Sequence, residues 1–255
     1  MKLHVGTSGY SYKEWKGNFY PEDLPAKEML SYYSRRLPAV EINNTFYHLP
    51  KEETFAAWGK KAPPDFLYAI KASRYLTHIK RLKDPEEGLA RFFAGVKRLK
   101  DHAGPILFQL PPHWHWDQER LRYFIRQLPS RWRHVFEFRH PSWCNEEVRS
   151  LLTKKKVSFC IHDLRDFSCP KWVTGPLVYV RFHGATAIKY AGCYDSSHLQ
   201  EWAEHIREYQ QSGLDVFAYF NNDNQGYAVK NAQELRTLLK LASPPGAEKP
   251  AEQWW

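Results

Sequence analysis

The sequence predicts a single α/β barrel of eight parallel strands, with long loops at the carboxyl ends of the strands. Eight short apolar runs, rich in β-branched and aromatic residues, alternate with stretches of helical apolar spacing. This is the pattern of repeated βα units, and eight such units close into a (β/α)8 or TIM barrel. Each run ends in a polar or charged residue, at the end of the strand where TIM barrels carry their active sites. The runs cover residues 3–6, 39–43, 66–71, 105–109, 134–139, 157–163, 177–183 and 216–221.

Alternation within the runs places their polar residues on one face of each strand. Successive strand residues point to opposite faces, so residues two apart share a face. In the fifth run Glu137 and Arg139 share one face, whereas Phe136 and Phe138 share the other. We therefore expect the phenylalanines to pack beneath helices and the polar pair to point into the mouth of the barrel. Outer helices are predicted by apolar residues at helical spacing over 89–99, 121–128, 199–209 and 228–239.

Length and composition agree with one barrel domain. The chain has 255 residues, close to the length of about 250 that is usual for a single TIM barrel. We assign residues 1–242 to the barrel and residues 243–255, rich in Pro, Ala and Glu, to a flexible carboxyl-terminal extension. No apolar stretch approaches the roughly 20 residues that cross a bilayer, and Met1 leads directly into the first strand. We therefore expect a cytoplasmic protein that does not engage a membrane.

Cysteine spacing and charge argue against a metal or redox centre. The four cysteines, at positions 144, 160, 169 and 193, form no C-x-x-C pair, so we expect reduced structural thiols. Glu41, Glu137, Asp163 and His183 could in principle converge on a divalent ion. Three cations predicted on the same rim would oppose such an ion, whose ligand sets are normally rich in anions. We therefore expect no metal and no other cofactor.

The excess of basic residues favours an anionic partner. The formal net charge is +9 and the sequence pI is about 9.3. A basic surface attracts phosphorylated metabolites, nucleic acid or acidic lipids. Part of this charge lies opposite the apolar stripe of the helix predicted at 89–99, where basic residues commonly form a solvated face.

Short motifs, in order along the chain, carry a resemblance to a known family. They are GTSGYSYKEW from Gly6, FYP from Phe19, VEINNTFYHLP from Val40, KASRYLTH from Lys71, ILFQLPP from Ile106, FEFRHPSW from Phe136, VRFHG from Val180 and YFNNDNQGYAVKNA from Tyr219. Together they resemble the YecE-like family, domain of unknown function 72, over residues 3–240. The resemblance implies a TIM barrel. It implies no reaction, because none is assigned to the family.

Two carboxylates at strand ends are candidates for catalysis. Glu41 and Glu137 lie on the second and fifth runs, so they could face each other across the mouth. A pair of this kind can act as acid and base, or as acid and nucleophile. The alternative is that each is neutralised by a neighbour, since Glu137 shares its face with Arg139 and a buried carboxylate usually needs such a partner.

Three cations on the same rim predict an anion-binding site. Arg139 and Arg181 offer planar forks that bind phosphate or carboxylate with two hydrogen bonds. Lys71 can act as a point charge or, if it is removed from water, as a nucleophile that forms a Schiff base. The alternative is that all three only balance the nearby carboxylates.

Further polar residues complete the predicted site. His183 is a candidate proton shuttle, and Asp163 could orient it or begin the next loop. Asn221 could bind a ligand hydroxyl or phosphate, and Gln109 and Asn43 occupy corresponding strand ends. Tyr47 belongs to an aromatic group after the second strand that could stack on a sugar or base. The predicted ligand-binding residues are thus Lys71, Gln109, Arg139, Arg181, Asn43, Tyr47 and Asn221, and the predicted catalytic ones Glu137, Glu41, His183 and Asp163.

Two functions from different classes fit these residues. One is a metal-independent enzyme, whether hydrolase, lyase or isomerase, that acts on a small phosphorylated or otherwise anionic compound. The other is a nucleic-acid-binding or nucleic-acid-processing barrel, similar in architecture to endonuclease IV, whose cations hold a backbone phosphate. A noncatalytic ligand sensor is a third possibility, and the sequence leaves the oligomeric state open.

Overall fold

A closed barrel of eight parallel strands forms the centre of the molecule. The computed structural model describes residues 1–164, 167–184 and 192–242. The strands follow sequence order around the barrel, and β8 pairs with β1 to close it. This confirms the predicted (β/α)8 fold. The strands are β1 (Leu3–Ser8), β2 (Ala39–Ile42), β3 (Leu67–Lys71), β4 (Ala103–Gln109), β5 (His134–Glu137), β6 (Ser158–His162), β7 (Leu177–Phe182) and β8 (Asp215–Phe220).

Helices connect the strands and cover the outside of the barrel. They are α1 (Met29–Ser34), α2 (Asn44–Tyr47), α3 (Glu52–Lys61), α4 (Glu86–Lys97), α5 (Gln118–Gln127), α6 (Glu146–Lys155), α7 (Ser196–Gln211) and α8 (Tyr227–Leu238). Two of these helices, α2 and α3, lie between β2 and β3, whereas the described residues between β6 and β7 contain no α-helix. A π-helical turn at Tyr75–Ile79 follows β3. No helix in the described ranges is long and apolar enough to span a membrane.

Side-chain caps and terminal charges explain where several helices begin and end. The side chains of Asp117, Asn145 and Asp195 accept hydrogen bonds from backbone N–H groups in the first turns of α5, α6 and α7. Helix α6 begins with two glutamates and ends with two lysines, an order that complements the helix dipole. Helix α3 has the same arrangement.

Apolar side chains form two cores, one on each face of the barrel sheet. The inner core contains Ala39, Ala69, Leu107, Val135, Cys160, Leu177, Tyr179, Phe217 and Tyr219. Phe136 and Phe138 belong to the larger outer core beneath the helices. This is the alternation predicted for the fifth strand. Residues two positions beyond an inner-core residue therefore reach the mouth of the barrel.

The strands differ from the predicted runs mainly at their carboxyl ends. β1 continues to Ser8, because residues 6–8 pair with residues 39–41 of β2. β5 ends at Glu137, so Arg139 lies just beyond it. His183 and Asn221 likewise follow the last residues of β7 and β8. The extension predicted at 243–255 lies outside the described residues.

Candidate active site

The carboxyl ends of five strands place charged and amide side chains at one end of the barrel. Glu41 is in β2, Lys71 ends β3, Gln109 ends β4, Glu137 ends β5 and Arg181 is in β7. Each follows an inner-core residue by two positions, so all five share the inward face. Gln109 also lies opposite Glu137 in the pairing of β4 with β5. The strand-end positions predicted from the sequence are therefore brought together.

Arg181 joins the two candidate catalytic carboxylates. Its Nη1 donates to Oε2 of Glu137 at 2.7 Å, and its Nη2 donates to Oε1 of Glu41 at 2.7 Å. The Arg181 side chain is 1% exposed and both carboxylates are 0% exposed. One buried guanidinium thus fills the space between the two carboxylates. This arrangement favours a fixed ion network over a pair of carboxylates that flank a bond to be cleaved.

Two hydroxyl groups complete the surroundings of Glu41. Ser8 donates to Oε1 at 2.7 Å, and Tyr179 donates to Oε2 at 2.7 Å. A buried carboxylate is stable only when hydrogen bonds or opposite charges replace its lost hydration. Together with Arg181, these hydroxyls satisfy both oxygens of Glu41.

Glu137 is held as an anion by two guanidinium groups. Besides the bond from Arg181, it accepts a hydrogen bond from Nε of Arg139. Burial alone would raise the pKa of Glu137, but the charges of Arg139 and Arg181 outweigh burial and keep that pKa well below its usual range. Glu137 is therefore ionised at any working pH, which makes it unsuited to donate a proton.

His183 is a neutral imidazole within the same network. Nη2 of Arg139 lies 3.0 Å from its Nε2, and the amide of Asn221 lies 3.1 Å from its Nδ1. A guanidinium can only donate, so Nε2 is the acceptor in its contact with Arg139. Burial and the charges of Arg139 and Arg181 lower the pKa of His183 well below its usual value. The proton shuttle predicted at this residue would therefore have to operate from an imidazole of low basicity.

Asp163 supports the backbone near His183 and does not contact its ring. Its Oδ1 accepts from the backbone N–H of His183 at 2.8 Å, and its Oδ2 accepts from the hydroxyl of Tyr194. Tyr194 in turn accepts from the backbone N–H of Gly184 at 2.8 Å. These contacts favour a structural role for Asp163 over the catalytic role predicted from the sequence.

Of the three cations of the site, Lys71 is the one for which the described residues supply no carboxylate partner. Within the described residues no carboxylate oxygen lies within 4.0 Å of its amine, which lies 4.2 Å from the ring centroid of Phe46. The pKa of Lys71 is lowered to about 7, mainly by burial and secondly by the charge of Arg181. The residue is 9% exposed. Near neutral pH its amine is therefore partly unprotonated, and it lies closer to solvent than Arg181.

Asp223 is an acidic group of the mouth that the strand-end pattern did not single out. It lies three residues beyond β8, and the hydroxyl of Tyr12 lies beside its carboxyl group. Its Oδ1 is buried without a hydrogen-bond partner in the described part of the chain. Burial raises the pKa of Asp223 to about 7. Asp223 and Lys71 thus supply an acid and an amine that both titrate near neutral pH.

The remaining predicted ligand-binding residues lie at the edge of this network. Asn43 follows β2 and precedes α2, and its Oδ1 is buried without a hydrogen-bond partner among the described residues. Tyr47 is 64% exposed and packs edge-to-face on Phe46. Tyr47 therefore faces solvent, where it could meet a ligand only from outside the mouth.

His162 and Cys160 are inward-facing residues of β6 that the predicted site does not include. Nε2 of His162 donates to the carbonyl oxygen of Phe138 at 2.9 Å, and burial lowers the pKa of this histidine to about 4. Burial, followed by the charge of Glu137, raises the pKa of the Cys160 thiol well above its usual value. Period-two alternation from Ser158 would have identified both residues.

No cluster in the described ranges brings together three or more His, Cys, Asp or Glu side chains that could hold a metal ion. The strand-end carboxylates instead accept hydrogen bonds from guanidinium and hydroxyl groups. All four cysteines are unpaired.

Comparison with known proteins identifies the family. The family model described as "Protein of unknown function DUF72" matches residues 4–253. The chain belongs to the DUF72 family. This confirms the resemblance carried by the sequence motifs.

Relatives of this DUF72 protein match it along nearly the whole chain. The UPF0759 protein YunF of Bacillus subtilis strain 168 is 25% identical over 275 residues, which cover 94% of this chain and 95% of that protein. A DUF72 structure from Thermotoga maritima MSB8 is 28% identical with a TM-score of 0.86, and covers 94% of this chain and 100% of that one. A DUF72 structure from Enterococcus faecalis V583 is 20% identical with a TM-score of 0.81. The match covers 98% of this chain and 100% of that one, and it shows the same fold. These descriptions give the family, and they name no reaction.

Proposed function

We propose that this DUF72 protein is a metal-independent enzyme that acts on a small anionic compound at the mouth of the barrel, with the amine of Lys71 as its base. The observation that carries this proposal is the environment of Lys71, which is buried at a strand end with no carboxylate partner in the described chain and has a pKa of about 7. A general base works best when its pKa lies near the working pH.

The two glutamates have a supporting role in this proposal. Every oxygen of Glu41 and Glu137 already accepts a hydrogen bond. Their charges hold Arg181 and Arg139 in place, and Arg181 in turn lowers the pKa of Lys71. We therefore move the base from the carboxylates, where the sequence suggested it, to the lysine.

Arg139 would hold the anionic group of the substrate, and Lys71 would add its positive charge to this site once it has taken up a proton. Arg139 uses Nε on Glu137 and Nη2 on His183, which leaves Nη1 without a hydrogen bond among the described residues. Its side chain is 7% exposed, compared with 1% for Arg181. A guanidinium that is fixed in advance and partly exposed binds an oxyanion with little loss of side-chain entropy.

Asp223 would supply the acid that complements the lysine. Because its pKa is raised to about 7, a large fraction of this carboxyl group carries a proton near neutral pH. An acid and a base with such pKa values can exchange a proton with a substrate in either direction. Proton transfer of this kind is the chemistry of lyases and isomerases, and it requires no metal.

Sulfate is a suitable probe of the anion site, because it stays dianionic across the neutral range. Thermal melts with and without millimolar sulfate would be recorded at about pH 6 and about pH 8.5, on either side of the pKa of Lys71. We expect a larger rise in Tm at the lower pH, where Lys71 is charged. Lys71→Met should lose this pH-dependent part of the rise.

Lys83→Met is the matched control, because Lys83 is an exposed lysine in the same connection after β3. This variant should behave like the unmodified protein. Equal shifts in all three proteins at both pH values would mean that sulfate acts only as a general stabilising salt. The proposed anion site at Lys71 would then be wrong.

A further inference from the structure

The mouth of the barrel presents Lys71 as a nucleophile as well as a base. We propose that its amine forms a Schiff base with an aldehyde or ketone, so that the substrate is a small oxo compound that also carries a carboxylate or phosphate. This inference rests on the proposed function, because the anionic group of the substrate would occupy the same cationic mouth.

The position of the amine is fixed by contacts at both ends of the residue. The hydroxyl of Thr45 donates to the backbone carbonyl oxygen of Lys71 at 2.7 Å, and the amine lies over the ring of Phe46. Phe46 is itself packed against His78, with ring centroids 4.9 Å apart. The amine therefore lies against an aromatic face that would also favour the cationic iminium product.

The same surroundings keep part of the amine in its reactive, neutral form. No carboxylate within the described residues lies close enough to hold the proton by an ion pair. Burial and the nearby charge of Arg181 lower the pKa to about 7, which raises the neutral fraction at neutral pH roughly a thousandfold over that of an ordinary lysine. Removal from water beside a second cation is a known way to activate a Schiff-base lysine.

The proposed step balances with groups of the site alone. The lone pair of Lys71 Nζ attacks the carbonyl carbon, a C–N bond forms, and the C=O π electrons move to oxygen. One proton then moves from nitrogen to that oxygen, which gives a carbinolamine. The C–O bond breaks as Asp223 gives a proton to the departing oxygen, so that water leaves and a protonated C=N bond remains. Lys71 ends β3 and Asp223 follows the end of β8, so both residues lie at the carboxyl-terminal end of the barrel.

Reductive trapping tests this step on the intact protein. Glyoxylate, a small aldehyde with a carboxylate, would be added near neutral pH with sodium cyanoborohydride, and labelled lysines would be located by peptide mass spectrometry. We expect Lys71 to be carboxymethylated about tenfold or more faster than exposed Lys83, because its neutral fraction is much larger. Sulfate should slow the labelling of Lys71 and leave Lys83 unaffected. Acetaldehyde, which lacks the carboxylate, should show a smaller preference for Lys71.

Asp223→Asn gives a second measurement that does not remove the labelled amine. This variant should slow trapping at Lys71 and leave trapping at Lys83 unchanged. Labelling of Lys71 no faster than that of Lys83 would overturn the Schiff base. The thermal melts with sulfate test the proposed function separately. If trapping fails but stabilisation by sulfate still depends on Lys71, the Schiff base is wrong and the anion site remains supported.

Discussion

Arg181 determines how two buried carboxylates are tolerated inside the barrel. Its two terminal nitrogens hold Glu41 and Glu137, and all three side chains are removed from water. Breaking a buried ion network by removing one partner leaves uncompensated charge, which is more costly than never having buried the charges. The network therefore compensates the buried charges at this end of the barrel, and adds little net stability of its own.

Replacing Arg181 with Met should destabilise the fold strongly. We expect a loss of about 3–5 kcal/mol in the free energy of unfolding, measured by urea denaturation, because both carboxylates lose their shared cation. Arg98→Met is the control, since the bond of Arg98 to Glu52 is exposed and worth about 1 kcal/mol or less. The triple variant Arg181→Met, Glu41→Gln, Glu137→Gln should recover part of the loss. Equal effects of Arg181→Met and Arg98→Met would contradict the network.

Lys71 should make stability depend on pH in the alkaline range. Its pKa is lowered from 10.5 to about 7 in the folded protein, so between these values the unfolded chain binds more protons. The stability of the unmodified protein should therefore rise with pH over this window, relative to Lys71→Met. Below about pH 7 the lysine is charged in both states, and its burial costs the folded state roughly 4–5 kcal/mol. Lys83→Met should show no such dependence in the same denaturation series.

Asp223 should produce the opposite slope at lower pH. Burial raises its pKa from 3.8 to about 7, so between these values the folded state binds more protons than the unfolded chain. The stability of the unmodified protein should fall as pH rises through this window, relative to Asp223→Asn. A stability difference between these two proteins that stays flat from pH 3.8 to 7 would show that the carboxyl group has an ordinary pKa.

Sequence alternation predicted most of the charged network because strand geometry is local. Residues two apart on a strand share a face whatever surrounds them, so Glu137 and Arg181 could be placed from the sequence. The pairing of Arg181 with both glutamates could not be predicted from the sequence, because it depends on distances across the closed barrel. Asp223 follows no periodic pattern, and its pKa is raised by burial, which depends on how the folded chain packs around it.

At the scale of elements, strand boundaries follow hydrogen bonding between neighbours more than apolar composition. The run predicted at 3–6 stops short of Thr7 and Ser8, which are polar, yet both pair with β2. Ser8 thereby reaches Glu41, a contact that composition alone could not show. Conversely, the run predicted at 134–139 exceeds β5, because pairing with β4 ends at Glu137.

Close approach of β1 and β2 makes Gly6 a sensitive position. A Cβ atom at Gly6 would lie 2.0 Å from the carbonyl oxygen of Ala39, which is its partner in the pairing of these strands. Gly6→Ala should therefore force the two strands apart and reduce stability by about 1–3 kcal/mol or more. Gly59→Ala in α3 is the control, because its nearest contacts are at 3.4 Å and alanine favours a helix by about 0.5–1 kcal/mol. Thermal melts of the two variants should shift in opposite directions.

Across the whole molecule, part of the positive charge lies at the end of the barrel away from the mouth. Helices of a TIM barrel run opposite to the strands, so their last turns lie at the end where the strands begin. Helices α3, α4, α5 and α6 have basic residues in their last turns and acidic residues in their first turns. Six basic residues of the chain therefore complement helix dipoles at the far end, and these residues give no support for a nucleic acid at the mouth.

This charge distribution gives a test that separates the two functions suggested by the sequence. Arg126, Lys154 and Lys155 line one groove between α5 and α6, near the ends of these helices. The turn at Tyr75–Ile79 lies at the mouth end, because the ring of Phe46 contacts both His78 and the amine of Lys71. This turn is followed by Lys80, Arg81 and Lys83. Changing either trio to Glu alters the net charge by the same amount.

We expect only nonspecific binding to duplex DNA, with a Kd of about micromolar or weaker at physiological salt and a steep loss as salt rises. Filter binding across a salt series should show that reversing Arg126, Lys154 and Lys155 reduces both the affinity and the salt slope. Reversing Lys80, Arg81 and Lys83 should have the smaller effect, because fewer phosphates would contact the mouth. A larger loss of affinity on reversing Lys80, Arg81 and Lys83 would mean that nucleic acid binds beside Lys71 and Arg139. The ligand of this barrel would then be a backbone phosphate, and the proposed small anionic substrate would be wrong.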